Sequence, residues 1–141
     1  MTTADIVRAV TSAWVADPES DVVWSGDHEG RRGVRMAQRV RDFTTVWFSV
    51  GDRTVRVEAY VVPSPPGGRE EVFRQCLARN RGTRRVRFAL DAHGDVVLMA
   101  AIPVGEVDET ELELVLGEIY ELIEVSFRPL VRAGFAREKT T

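Results

Sequence analysis

The chain opens on a helical period. Ile6, Val7, Val10, Ala13 and Trp14 recur three and four residues apart, the apolar stripe of an amphipathic helix. Thr2 or Thr3 supplies a cap for its first free amides. Asp17-Pro18 ends it, because proline pushes the preceding residue out of α geometry. Glu19 to Arg32 is polar and contains glycine, with Val22, Val23 and Trp24 as its one apolar cluster; it reads as mostly loop, with at most one short extended piece. Alternation then sets in. Val34, Met36, Gln38 and Val40 alternate with Arg35, Ala37, Arg39 and Arg41, the period of two of a half-buried strand. Thr44 to Val62 keeps that period and bends at Gly51-Asp52, a pair suited to a two-residue hairpin turn. Such a turn sets Val46 against Val57, Phe48 against Val55 and Thr44 against Ala59, gathering the apolar residues on one face.

The stretch from Pro63 to Gly68, with three prolines and two glycines, joins neither sheet nor helix. Glu70 and Glu71 then open a helix in the turn where negative charge is favoured. Its apolar stripe is Val72, Phe73, Cys76 and Leu77, and Gly82 supplies the stop. A second hairpin follows: Val86, Phe88 and Leu90 alternate with Arg85, Arg87 and Ala89, and Ala92-His93-Gly94 makes the turn. Val96 to Ile102 is apolar on both faces and belongs inside the sheet. Asp108 and Glu111 have capping-box spacing. From Leu112 to Leu130 a wide apolar stripe suits a long helix lying on a sheet, which Pro129 should kink or locally break. No repeat or linker interrupts the chain, so residues 1–141 read as one α+β domain. The order is α-β-β-β-α-β-β-α, an antiparallel sheet packed by helices.

Composition narrows the function more than it identifies it. The 141 residues are 44% hydrophobic and 29% charged, too apolar for a disordered chain. The net charge is −3 and the isoelectric point near 5.5, which argues against a nucleic-acid partner. The one cysteine, Cys76, forms no intramolecular disulfide and fits a reducing compartment. The longest apolar run, Val96 to Ile102, has seven residues, far short of the roughly 20 that span a bilayer. No basic segment precedes an apolar core at the start, as a signal peptide would require. A cytoplasmic protein without a membrane contact is expected.

Chemistry is sparse. His28 and His93 lack metal-ligand spacing, and three loop neighbours, Asp27-His28-Glu29, seldom converge on one ion. Cys76 lies on an apolar stripe, where a buried thiol is the default. None of the six serines sits in a glycine elbow, and no phosphate-binding glycine loop is present. The expectation is a non-enzyme without metal or cofactor.

Surface patterning says more. Residues 31–41 carry five arginines and no acid, residues 69–87 seven arginines and two glutamates, and residues 106–124 eight acids and no base. Such runs are ordinarily solvated faces. On the first hairpin, inward-facing valines leave Trp47 opposite Arg56 and Phe43 opposite Tyr60 on the outer face. These pairs stabilise a sheet; unless a helix of the same chain covers them, they also form a partner-binding surface, since Trp, Tyr and Arg anchor binding. Leu114 and Val125, apolar on the acidic side of the last helix, are candidate dimer contacts. The alternative is a nucleic-acid patch at Arg79, Arg81, Arg84, Arg85 and Arg87, with salt-dependent phosphate contacts. A deep pocket with converging polar groups would instead indicate a small-ligand sensor.

Three segments add a resemblance. Arg41-Asp-Phe-Thr-Thr-Val-Trp-Phe-Ser-Val50, Val57-Glu-Ala-Tyr-Val-Val-Pro63 and residues Glu118 to Gly134 resemble the actinobacterial branch of the YbjN family, described as bacterial sensory-transduction regulators. The similarity runs from the first helix to Phe135. That resemblance implies a fold similar to type III secretion chaperones: small, acidic α+β homodimers that bind extended segments of other proteins. It carries no catalytic residues. The expected function is therefore a chaperone-like adaptor that binds an unidentified protein or peptide as a homodimer.

Overall fold

Thr2 begins the first helix by a reciprocal exchange. Its Oγ1 accepts the Asp5 N–H at 3.1 Å, and the Asp5 carboxylate accepts the Thr2 N–H at 2.9 Å. This box starts α1 (Thr3–Ala16) and satisfies two amides that helical geometry leaves free. The structure, a computed structural model, describes residues 1–135. After α1 come β1 (Val22–His28), β2 (Arg31–Ala37), β3 (Phe43–Val50), β4 (Thr54–Val62), α2 (Arg69–Asn80), β5 (Arg87–Leu90), β6 (Val96–Pro103), a short 3₁₀ turn and α3 (Glu109–Phe135). The six strands form one antiparallel sheet in the order β1-β2-β3-β4-β6-β5.

The α+β class stands, with one strand more than the eight-element order. Val22–His28 is a strand rather than a loop, joined to β2 by Glu29-Gly30. Both turn residues have positive φ, 50° and 76°, as a tight primed hairpin turn requires. Gly30 adopts this freely; Glu29 does so at some cost.

The β3–β4 hairpin corrects the expected register. Val46 pairs with Ala59, Phe48 with Val57 and Val50 with Val55, two residues away from the expected pairing. Gly51 does not take a positive φ, so no two-residue primed turn forms. Its N–H reaches the Thr54 carbonyl at 2.9 Å, closing a longer loop. A shift of two preserves the strand's parity, and the same side chains still face inward.

All three helices pack on that inward face. The Trp14 ring of α1 lies 6.3 Å from that of Phe48, and Arg32 Nε donates to Thr11 Oγ1 at 2.9 Å. Leu112, Val115, Ile119, Ile123 and Leu130 of α3 are completely buried with Val34, Val46, Val55 and Val57. Asp108 Oδ1 accepts the Glu111 N–H at 2.8 Å, half of the expected box. Pro129 does not break α3, which is continuous to Phe135. Proline removes the N–H that would bond the carbonyl four residues earlier, and that carbonyl, Val125, accepts Arg79 Nη2 from α2 at 3.2 Å.

Candidate functional site

Strand alternation sends one set of side chains under the helices and the other to the opposite face of the sheet. The opposite face holds Trp24 and His28 from β1, Arg31 and Arg35 from β2, Phe43 and Trp47 from β3, and Arg56 and Tyr60 from β4. Trp47 therefore does not lie under the chain's own helices. It is half-buried because neighbouring side chains close over it. The Arg31 guanidinium sits 4.5 Å from its ring centroid, and the His28 ring 5.9 Å away. Beneath it is Gly33, its partner on β2; a Cβ there would fall 2.6 Å from Trp47 Cζ3.

A second stack lies alongside. The Arg35 guanidinium is 5.6 Å from the Trp24 ring and 5.7 Å from Phe43. Cation–π contacts of this kind hold rings in place. Phe43 and Tyr60 remain 46% and 45% exposed.

The four residues expected on this face are all there, with different neighbours. Trp47 pairs with Glu58, and Arg56 with Ser49 and Ala101. Phe43 pairs with Ala37, and Tyr60 with Val97. The cation on Trp47 is Arg31, which reaches it from β2, rather than Arg56, which the two-residue register shift sets opposite Ser49. Arg56 instead joins Arg87, Met99 and Ala101 around a depression of about 430 Å³. Trp24, His28 and Arg31 fall in the stretch Glu19 to Arg32, whose sequence reads as mostly loop, whereas Arg35 falls on the outer side of the expected strand. The alternation of Trp24, Gly26 and His28 was the available signal.

Arg41 positions the Tyr60 end of the face. The β4–β6 pairing shifts between Tyr60 and Val62, and Arg41 donates to the Tyr60 and Val61 carbonyls at 2.6 and 2.7 Å. Its guanidinium also lies 5.0 Å from the Phe127 ring. Burial lowers the pKa of Arg41 from the usual arginine range. Burial, followed by the nearby Asp95 and Asp91 carboxylates, raises that of the Tyr60 phenol.

The arginine segment after α2 is divided. Arg79 is held by Val125, and Arg85 Nε meets Glu111 Oε1 at 2.6 Å. Glu118 accepts the backbone N–H groups of Arg84, Arg85 and Val86 at 3.0, 2.8 and 2.5 Å. Burial opposes ionisation of Glu118, but these bonds outweigh it and hold its carboxyl below the ordinary value. Arg81, Arg84 and Arg87 remain exposed. Leu114 and Val125 of α3 are exposed as well.

Cys76 is buried, and burial pushes its thiol up to about 11, leaving it protonated and unreactive at neutral pH. Asp27 is engaged by Arg8 at 2.7 Å and Arg32 at 3.5 Å. Among the described residues no three metal-binding side chains converge, and no helix is long and apolar enough to cross a membrane.

Comparison with known proteins places this geometry. The YbjN family model, described as "Putative bacterial sensory transduction regulator", matches residues 8–130. The chain is 40% identical over 88 residues to the uncharacterized protein Rv0487 of Mycobacterium tuberculosis, covering 62% of this chain and 48% of that protein. It is 37% identical over 92 residues to ML2442 of Mycobacterium leprae, covering 65% and 50%. It therefore spans about half the length of the curated relatives it matches. Among solved structures it is similar in fold to a chain of the heterodimeric ExoU–SpcU complex from the type III secretion system of Pseudomonas aeruginosa. The TM-score is 0.57 and the identity 18%, over 84% of this chain and 94% of that one.

Proposed function

Because the chain belongs to the YbjN family, matched over residues 8–130, we propose that it is a non-enzymatic, chaperone-like adaptor. It acts as a cytoplasmic homodimer and takes an extended segment of a partner protein on its open sheet face. The observation that carries this reading is that Phe43 and Tyr60, each nearly half exposed, share with two arginine-stacked indoles the sheet face opposite α1, α2 and α3. Rigid aromatic rings pre-organised by cations supply contact area at little entropic cost. The exposed arginines Arg35 and Arg56 favour a segment that carries acidic residues. The fold neighbour comes from a complex of two different proteins, which suits a protein-binding role. A single unpaired cysteine suits a reducing compartment.

The test is co-purification from the native cell with the wild-type chain and with a Phe43→Ser/Tyr60→Ser variant. Both side chains are peripheral to the core, so the variant should fold normally. Specific loss of the co-purifying proteins from the variant is the expected result; equal recovery would remove this face from the binding surface.

A further inference from the structure

The strands turn four arginines onto the open face, and these divide into two kinds. Arg31 and Arg35 are engaged by the indoles of Trp47 and Trp24. Arg56 of β4 and Arg87 of β5 are exposed, and among the described residues neither enters an ion pair. They stand on either side of β6, where Ala101 pairs with Arg56 and Met99 with Arg87. Between the two side chains lies the depression of about 430 Å³, with Met99 and Ala101 in its lining. Arg85 also borders it but is already held by Glu111. An unpaired cation on each side of a largely apolar depression suits a carboxylate, which arginine meets with a fork of hydrogen bonds.

The distance from this depression to the aromatic end of the face sets a spacing. Tyr60 and Arg56 lie four residues apart on β4, about 13 Å at the rise of a strand. An extended partner segment lying along β4 advances by the same rise, and its alternate side chains face the same way. A side chain seated on Tyr60 and one seated between Arg56 and Arg87 therefore belong to positions four apart in that segment. Midway between them the face presents Glu58, paired with Met99. Glu58 is the only acid that the strands turn outward among the described residues, and it opposes a second carboxylate at the intervening position. We propose that the partner segment carries a large apolar residue and, four positions away, an aspartate or glutamate held between Arg56 and Arg87, with no acid midway. This inference rests on the partner-binding reading above and specifies the segment that the reading leaves undefined.

The test is selection of phage-displayed random peptides of about twelve residues, long enough to span the face, on the immobilised full chain, with circular dichroism to confirm that each variant folds. The wild type should enrich peptides in which an apolar residue and an acid stand four positions apart. Arg56→Glu/Arg87→Glu, altered only at exposed side chains, should enrich lysine or arginine in place of the acid and keep the apolar position. Phe43→Ser/Tyr60→Ser should enrich neither pattern. An enriched peptide, made synthetically, should bind the wild type about tenfold or more weakly once its acid is replaced by the matching amide; this measurement decides the question if the charge-reversed variant fails to fold. Enrichment that needs Phe43 and Tyr60 but shows no acid at that spacing, or that ignores the charge reversal, would overturn the spacing and leave the face as a binding surface. A wild type that enriches no peptides, or enrichment that survives Phe43→Ser/Tyr60→Ser, would overturn the partner-binding reading and this inference with it.

Discussion

Trp47 and Gly33 are cross-strand partners in which one residue exists, in physical terms, to make room for the other. The indole lies over the bare α-carbon of Gly33, where a Cβ would approach Cζ3 to 2.6 Å, and Arg31 closes the stack from above. The Trp47 ring is therefore held in a layered assembly, with Gly33 below and Arg31 above.

Gly33→Ala should lift the ring out of this position. With the three tryptophans labelled as 5-fluorotryptophan, the fluorine resonance assigned by Trp47→Phe should shift and broaden. The Trp14 resonance, from the helix-covered face, should hold its position. Global stability should fall by only about 1 kcal/mol, since an indole at the surface can swing aside. An unmoved Trp47 resonance would mean that Gly33 does not seat the ring.

Arg79 makes a different prediction. Its bond to the Val125 carbonyl replaces the N–H that Pro129 cannot provide. Arg79→Met should cost about 0.5–1.5 kcal/mol, because a carbonyl with no helical donor loses its charged partner and must turn to water. Pro129→Ala restores a helical donor, so the same Arg79→Met change should cost less in that background. Urea denaturation of the four chains of this cycle should give a coupling of about 0.5–1.5 kcal/mol. Strict additivity would show that the two residues do not share the carbonyl.

Glu118 links stability to pH. Its folded carboxyl titrates below the ordinary 4.5 despite burial, owing to three backbone donors. A depressed folded pKa contributes stability that is present above the unfolded value and is lost as pH falls through the folded one. Glu118→Gln should therefore be less stable by about 1–3 kcal/mol at neutral pH. Between about pH 5 and pH 3 the wild-type melting temperature should fall more steeply and approach that of the variant. Parallel curves would show that the carboxylate contributes nothing through its charge.

These residues also show what could be read in the chain beforehand. The inward and outward sides of β3 and β4 were legible from alternation alone, and they survived a wrong register because the error was an even number of residues. The β1–β2 hairpin was not legible, since Glu29-Gly30 lacks the Asn-Gly or Asp-Gly signal of its turn type. With it went Trp24 and the arginine stacks. The acidic run of α3 looks uniformly solvated, yet Glu111 pairs with Arg85, and Glu118 and Glu124 gather amides from distant loops. Carboxylates matched to groups tens of residues away leave no periodic trace. Pro129 raised the same difficulty: the residue that compensates for it, Arg79, lies on another helix.

The central claim is that the helix-free sheet face receives a partner protein. Its most direct test places a photo-crosslinking amino acid at Tyr60, at Phe43 and, as a control, at Leu114, followed by illumination in the native cell. The account predicts a defined adduct with another protein from the Tyr60 and Phe43 positions, lost when Trp47→Ala is added, and no such adduct from Leu114. Adducts from Leu114 alone, or adducts at Tyr60 and Phe43 unaffected by Trp47→Ala, would contradict it.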